Sequence, residues 1–137
     1  MKIIKTLNVP AEFFYQQMIN SVLFDIRKST GETLKEHQLS HYSYVKEFSK
    51  SNRAKITIEE AQKNQRYCFN TSTARNQFNV SYEIKTLSDT QCEVSYKEEM
   101  TSHGVLQKAN DSLFGLFLGP LKKKQLVKML DEMEASY

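Results

Sequence analysis

The stretch "QFNVSYEIKTLSDTQCEVSYKEEM", residues 77–100, decides the fold. Phe78, Val80, Tyr82 and Ile84 alternate with Asn79, Ser81, Glu83 and Lys85. After the polar break "LSDTQ", Cys92, Val94 and Tyr96 repeat the pattern. A period of two puts each set on one face of a strand, and a short polar break between two such runs reads as a hairpin. The alternation also implies that one face is covered while the other meets water.

Working outward towards the N-terminus, the same period continues. "HYSYVKEF" (41–48) places Tyr42, Tyr44 and Phe48 together, with Val45 on the other face. "RAKITIEE" (53–60) pairs Ile56 with Ile58, and "RYCFNTST" (66–73) aligns Tyr67, Phe69, Thr71 and Thr73. The connections "SKSN", "AQKNQ" and "ARNQ" are short and polar, so neighbouring strands run antiparallel. "KIIKTL" (2–7) adds a sixth short strand. "NVPAEFF" then starts a helix, with Pro10 in its first turn and Glu12 near the positive end of its dipole. Phe14, Met18, Val22 and Ile26 recur every fourth residue as an apolar stripe, and Gly31 is the stop signal. Residues 32–40 read as a short second helix or a turn around Leu34.

Six strands are too few for a second sheet, so the cover must be helical. The segment from Val105 to Ala135 supplies it. Leu106, Leu113 and Phe117 lie on one side of its first half, and Leu126, Met129 and Met133 on one side of its second. These sets would fall on opposite faces of a straight helix at about 100° per residue. Gly119-Pro120 stands between them, and a proline lacks an amide donor and clashes with the preceding turn. The expectation is a long C-terminal helix kinked near residues 115–120, its "LFGLFLGP" run buried.

Composition limits the function classes. With 137 residues, 39% hydrophobic and 26% charged, the chain reads as one globular domain over residues 1–137. Net charge is +3 and dispersed: nine Lys/Arg face seven acids in residues 1–60, and ten face nine in residues 61–137. Nucleic-acid binders concentrate basic charge on one face, and the one dense cluster here is Lys122-Lys123-Lys124, which the nearby Asp131, Glu132 and Glu134 mark as a solvated helix turn. Nucleic acid is therefore not an expected partner. No segment approaches the roughly 20 apolar residues of a spanning helix. The basic N-terminus is broken by Asn8 and Pro10 and makes no signal peptide, so a cytoplasmic setting is expected. Cys68 and Cys92 sit in separate strands as reduced thiols. The sequence carries no marker of oligomeric state.

The order of strand, helix, short helix or turn, antiparallel strands and long final helix resembles the helix-grip fold of the START and birch-pollen-allergen-like (SRPBCC) superfamily, which includes polyketide cyclases. The likeness in element order covers essentially the whole chain. It implies an α+β fold, with a curved antiparallel sheet of about six strands gripping the last helix and an apolar cavity often lying between them. More narrowly, "KTLNVPAEFF", "TSTARNQFNVSYEI", "YKEEM" and "FLGPLKKKQLVKML" resemble an uncharacterised bacterial single-domain family within that superfamily. The narrower resemblance implies no catalytic residues. Larger superfamily members commonly have seven strands, so six suggests a smaller cavity or one filled by this chain's own aromatics.

Tyr42, Tyr44, Tyr67, Phe69, Phe78, Tyr82 and Tyr96 would share the covered face, opposite Leu113, Phe114, Phe117 and Leu118. Apolar walls with scattered phenol hydroxyls are the chemistry of a small-molecule pocket; the same residues also suit a solid core. Arg75, near a hairpin bend, would either reach an anionic head group at the cavity rim or be solvated. Glu98 continues the inward parity of Tyr96, which would suit it to acid–base work, although a bulge or early strand end would turn it outward and exchange it with Glu99. His37 and His41 are four apart with no carboxylate or cysteine to complete a metal set, and His103 has no nucleophile to pair with. The sequence contains no cofactor motif. The reading it favours is binding of a small hydrophobic or amphipathic ligand without catalysis. A cyclase, dehydratase or hydrolase using Glu98 or a buried tyrosine, and an interaction module with a filled core, are the alternatives.

Overall fold

The computed structural model describes residues 1–49, 52–102 and 120–137. The elements are β1 (Lys2–Leu7), α1 (Ala11–Thr30), a 3-10 turn (Glu36–Gln38), β2 (Ser43–Ser49), β3 (Asn52–Gln62), β4 (Arg66–Ser72), β5 (Asn76–Ser88), β6 (Gln91–Ser102) and α2 (Pro120–Ala135). The six strands form one antiparallel sheet in the order β1-β6-β5-β4-β3-β2. Strands β2 to β6 follow one another as hairpins, and β1 pairs with the far side of β6.

Three register shifts curve this sheet: between Glu47 and Ser49, between Ile58 and Glu60, and between Thr86 and Ser88. A bulge bends its strand and raises the local twist. The one at Glu59 also changes parity. Ile56 and Ile58 face inward as expected, and after the bulge it is Ala61 that stands opposite Tyr67 and packs against the core.

Helix α1 lies across the concave face. Pro10 is the flanking N-cap residue, one position earlier than its expected place in the first turn; its carbonyl accepts from the Phe14 amide at 3.2 Å. Gly31 ends the helix in a left-handed conformation (φ 80°), donating to the Arg27 carbonyl at 2.8 Å. The buried stripe contains Phe14, Met18 and Ile26, with Val22 packed beside it, and is widened by Tyr15 and Ile19. Between α1 and β2 a single 3-10 turn replaces the short helix, with Leu39 buried beyond it. That turn ends at Gln38, so His37 and His41 do not share a helical face.

Helix α2 docks on β1 and on the start of α1. Leu126 and Leu130 are buried, Lys5 pairs with Asp131, and the Asn8 amide donates to Glu134 Oε2 at 2.6 Å. Tyr137 meets Phe13 edge to face, with ring centroids 4.8 Å apart. The described helix is short, 16 residues, where a long kinked one was expected. The rest of the expectation, including residues 115–119 of the kink, lies outside the described residues.

Candidate functional site

The inward residues of the sheet, α1 and α2 do not close completely on one another. They surround a pocket of about 480 Å3. Phe14, Met18, Ser21, Val22 and Asp25 form the α1 wall, and Met129 and Met133 come from α2. The floor is the sheet: Tyr44, Lys46 and Ile56, then Tyr67, Phe69 and Thr71, then Phe78, Val80, Tyr82, Tyr96 and Glu98. Period-two alternation on five adjacent strands is what converges these side chains.

The registers order them into rows. Tyr82 stands opposite Tyr67 on one side and Tyr96 on the other. The Tyr82 and Tyr96 rings meet edge to face at 5.0 Å, and Phe14 of α1 lies 6.4 Å from Tyr82. In the next row Ile58, Phe69, Val80 and Glu98 are successive neighbours. A carboxyl group thus occupies the position an apolar side chain would continue.

Burial raises the pKa of Tyr67, Tyr82 and Tyr96 above the ordinary phenol range. Tyr44 is raised by burial first and then by its hydrogen bond to Asp25. All four remain neutral at physiological pH. They can offer a ligand an O–H donor and lone pairs, and none is prepared to act as a tyrosinate base.

Two polar groupings interrupt the apolar wall. In the first, Asp25 accepts from the Tyr44 hydroxyl at 2.5 Å through Oδ2 and from Lys46 Nζ at 2.6 Å through Oδ1. The side chains of Lys46 and Asp25 keep 34% and 26% of their exposure, so this ion pair is half-buried. In the second, the Tyr96 hydroxyl donates to Glu98 Oε1 at 2.7 Å, and Glu98 is only 3% exposed.

Of the residues singled out from sequence, Tyr44, Tyr67, Phe69, Phe78, Tyr82, Tyr96 and Glu98 all line the pocket. Glu98 faces inward and Glu99 outward, as the strand parity requires. Arg75 is exposed in the β4–β5 turn, its amide donating to Thr73 Oγ1 at 3.2 Å, and it is not among the described lining residues. Leu113, Phe114, Phe117, Leu118 and His103 lie outside the described residues. Cys68 and Cys92 are free and buried. Among the described residues no cluster of three or more His, Cys, Asp or Glu is placed to hold a metal. No described helix is long and apolar enough to cross a membrane.

Asp25 and Lys46 were not singled out. Lys46 shares the parity of Tyr44, and Asp25 follows Met18 and Val22 at helical spacing, so a positional signal existed for both. Their pairing, across 21 residues of chain, has no local signature.

Residues 1–119 match the family described as "Domain of unknown function (DUF3284)". The chain belongs to the DUF3284 family. Its fold is the START-like helix grip, shared with solved structures at low identity. A START superfamily protein from Mycobacterium smegmatis superposes with a TM-score of 0.57 at 10% identity, covering 99% of this chain and 94% of that one. Norcoclaurine synthase from Thalictrum flavum gives 0.56 at 3% identity, covering 99% and 93%. The di-domain ARO/CYC StfQ of the steffimycin biosynthetic pathway gives 0.54 at 13% identity, covering 99% of this chain. The chain spans less than half the length of StfQ (44%) and of DynU16, a protein of the dynemicin biosynthetic locus (46%). Curated protein sequences give no match.

Proposed function

We propose that this DUF3284 chain, acting as one helix-grip domain, binds a small hydrophobic or amphipathic molecule in the pocket between sheet and helices, without catalysing its conversion. The observation that carries the reading is the pocket itself. About 480 Å3 lies within the size range of small-molecule sites, and its walls are aromatic and aliphatic with a few converging polar groups. Phe69 and Tyr82, both only partly buried, face this space. Binding would draw on apolar burial at about 25 cal/mol per Å2, with the neutral phenols fixing orientation. Leu113, Phe114 and Phe117 are proposed as further ligand-binding residues. A bacterial, cytoplasmic setting, where Cys68 and Cys92 stay reduced, belongs to the same proposal.

Native mass spectrometry of gently purified protein, compared with the denatured chain, tests this. A discrete non-covalent adduct that disappears in a pocket-filling variant supports the binder and gives the ligand's mass. A bare mass that stays bare after exposure to apolar amphiphiles favours the interaction module.

One observation favours a second reading. A buried carboxyl hydrogen-bonded to a buried phenol is an arrangement that general acid–base catalysis uses, and the fold is shared with a synthase and with an ARO/CYC protein. Turnover of an aromatic or polyketide-like substrate that is lost in Glu98→Gln would establish it.

A further inference from the structure

The phenols that line the pocket fall into two pairs. Tyr44 donates to Asp25 Oδ2 at 2.5 Å, and Tyr96 donates to Glu98 Oε1 at 2.7 Å. Tyr67 and Tyr82 have no hydrogen-bond partner among the described residues, and neither hydroxyl oxygen is sealed off by protein atoms.

Register brings these two together. Tyr67 of β4 stands directly opposite Tyr82 of β5, which puts their Cβ atoms about 5 Å apart on one face. Burial is the first cause that raises the Tyr67 pKa, and the neighbouring Tyr82 phenol is the next. The two groups therefore act on one another, and both stay protonated at physiological pH. Their surroundings are apolar: Phe69 lies 5.7 Å from the Tyr67 ring and Phe14 lies 6.4 Å from the Tyr82 ring.

A phenol taken out of water without a partner loses the hydrogen bonds that water gave it. Two such donors side by side are satisfied together by an oxygen with two lone pairs and no proton of its own. A carbonyl oxygen is that acceptor. A carboxylate could also accept, but it would have to shed its water against aromatic walls at a far greater cost than a neutral oxygen. A ligand hydroxyl would bring a third donor that needs an acceptor in turn.

We propose that Tyr67 and Tyr82 form a two-donor seat for a carbonyl oxygen, and that the ligand of this pocket is an uncharged hydrophobe carrying one. The proposal rests on the ligand-binding reading above and specifies its ligand class.

The test uses 9-fluorenone and fluorene, planar probes of closely similar shape that differ by a carbonyl in place of a methylene. Calorimetric titration of the whole chain into each probe is expected to show the ketone binding about tenfold more tightly, the net return of two neutral hydrogen bonds. The double variant Tyr67→Phe, Tyr82→Phe should bind the two probes alike. Tyr42→Phe, which removes a phenol outside the described lining, should keep the preference; a thermal melt checks that each variant is folded. The infrared carbonyl stretch of bound 9-fluorenone should lie below its value in heptane, a comparison that needs no variant. Equal binding of the two probes by the wild type overturns the inference, as does a ketone preference that survives the double variant or a carbonyl stretch at its heptane value. Each of these leaves the pocket reading standing. Binding of neither probe overturns the pocket reading itself, and this inference with it.

Discussion

The hydroxyl of Tyr96 donates a 2.7 Å hydrogen bond to Glu98 Oε1, from the neighbouring inward position of the same strand and with both residues buried. It joins the most buried carboxyl of the lining to the row of tyrosines that crosses the sheet. Removing either partner leaves polar atoms in an apolar wall. Tyr96→Phe is expected to lower unfolding free energy by about 1–3 kcal/mol, measured by urea denaturation. A change within about 0.5 kcal/mol would mean that this hydrogen bond adds little to the stability of the fold.

Alkaline pH should unfold the protein. Tyr15, pushed up to about 12 mainly by burial, and the higher-shifted Tyr44, Tyr67, Tyr82 and Tyr96 resist ionisation in the folded state, whereas the unfolded chain ionises near 10. Below pH 10 both states hold these protons and the contribution is fully present. Above it the unfolded state loses protons first, so stability falls by about 1.4 kcal/mol per pH unit for each such phenol. Urea midpoints followed from neutral to strongly alkaline pH should be flat and then drop, with a shallower drop in Tyr82→Phe. An unchanged slope in that variant would show that Tyr82 reaches solvent.

The half-buried ion pair offers a contrast. Lys46→Met should cost no more than about 1 kcal/mol, because the side chain keeps a third of its exposure and salt screens the pair. Asp25→Ala should cost more, about 1–3 kcal/mol, since the buried Tyr44 hydroxyl loses its acceptor. Equal costs for the two would assign the whole effect to charge pairing.

At the end of α1 the constraint is conformational. Gly31 has φ 80°, and a Cβ there would meet nothing within 4 Å. Gly31→Ala is therefore expected to destabilise by about 1 kcal/mol through backbone strain alone, and Gly31→Asn by less. Thermal melts of the two variants check the order.

Much of this architecture is visible in the chain because one-sided burial writes itself into a period of two. Phe78 to Ile84 and Cys92 to Tyr96 could be placed on one face without coordinates, and Glu98 followed from their parity. The limits of α1 were legible for a similar reason, since Pro10 and Gly31 act through backbone geometry that no tertiary contact needs to supply. The bulge at Glu59 was not legible: it exchanges which side of β3 faces inward, and no break in the local residue pattern marks it. Nor was the Asp25–Lys46 pair, which depends on how α1 crosses β2. The expected length and kink of the final helix fall on residues 105–119, outside the described residues, and the described part is the 16-residue α2.

The most direct test of the central claim is a titration of the neutral apolar fluorophore N-phenyl-1-naphthylamine into the wild-type chain and into Val80→Trp. Val80 is buried in the sheet floor between Phe69 and Glu98, where an indole would occupy the pocket. A ligand-holding pocket predicts saturable fluorescence enhancement in the wild type, its loss in Val80→Trp, and a variant at least as stable as the parent because the indole fills existing space. A wild type that does not enhance the dye, together with a variant destabilised by about 1–3 kcal/mol from overpacking, would show a filled core and contradict the account.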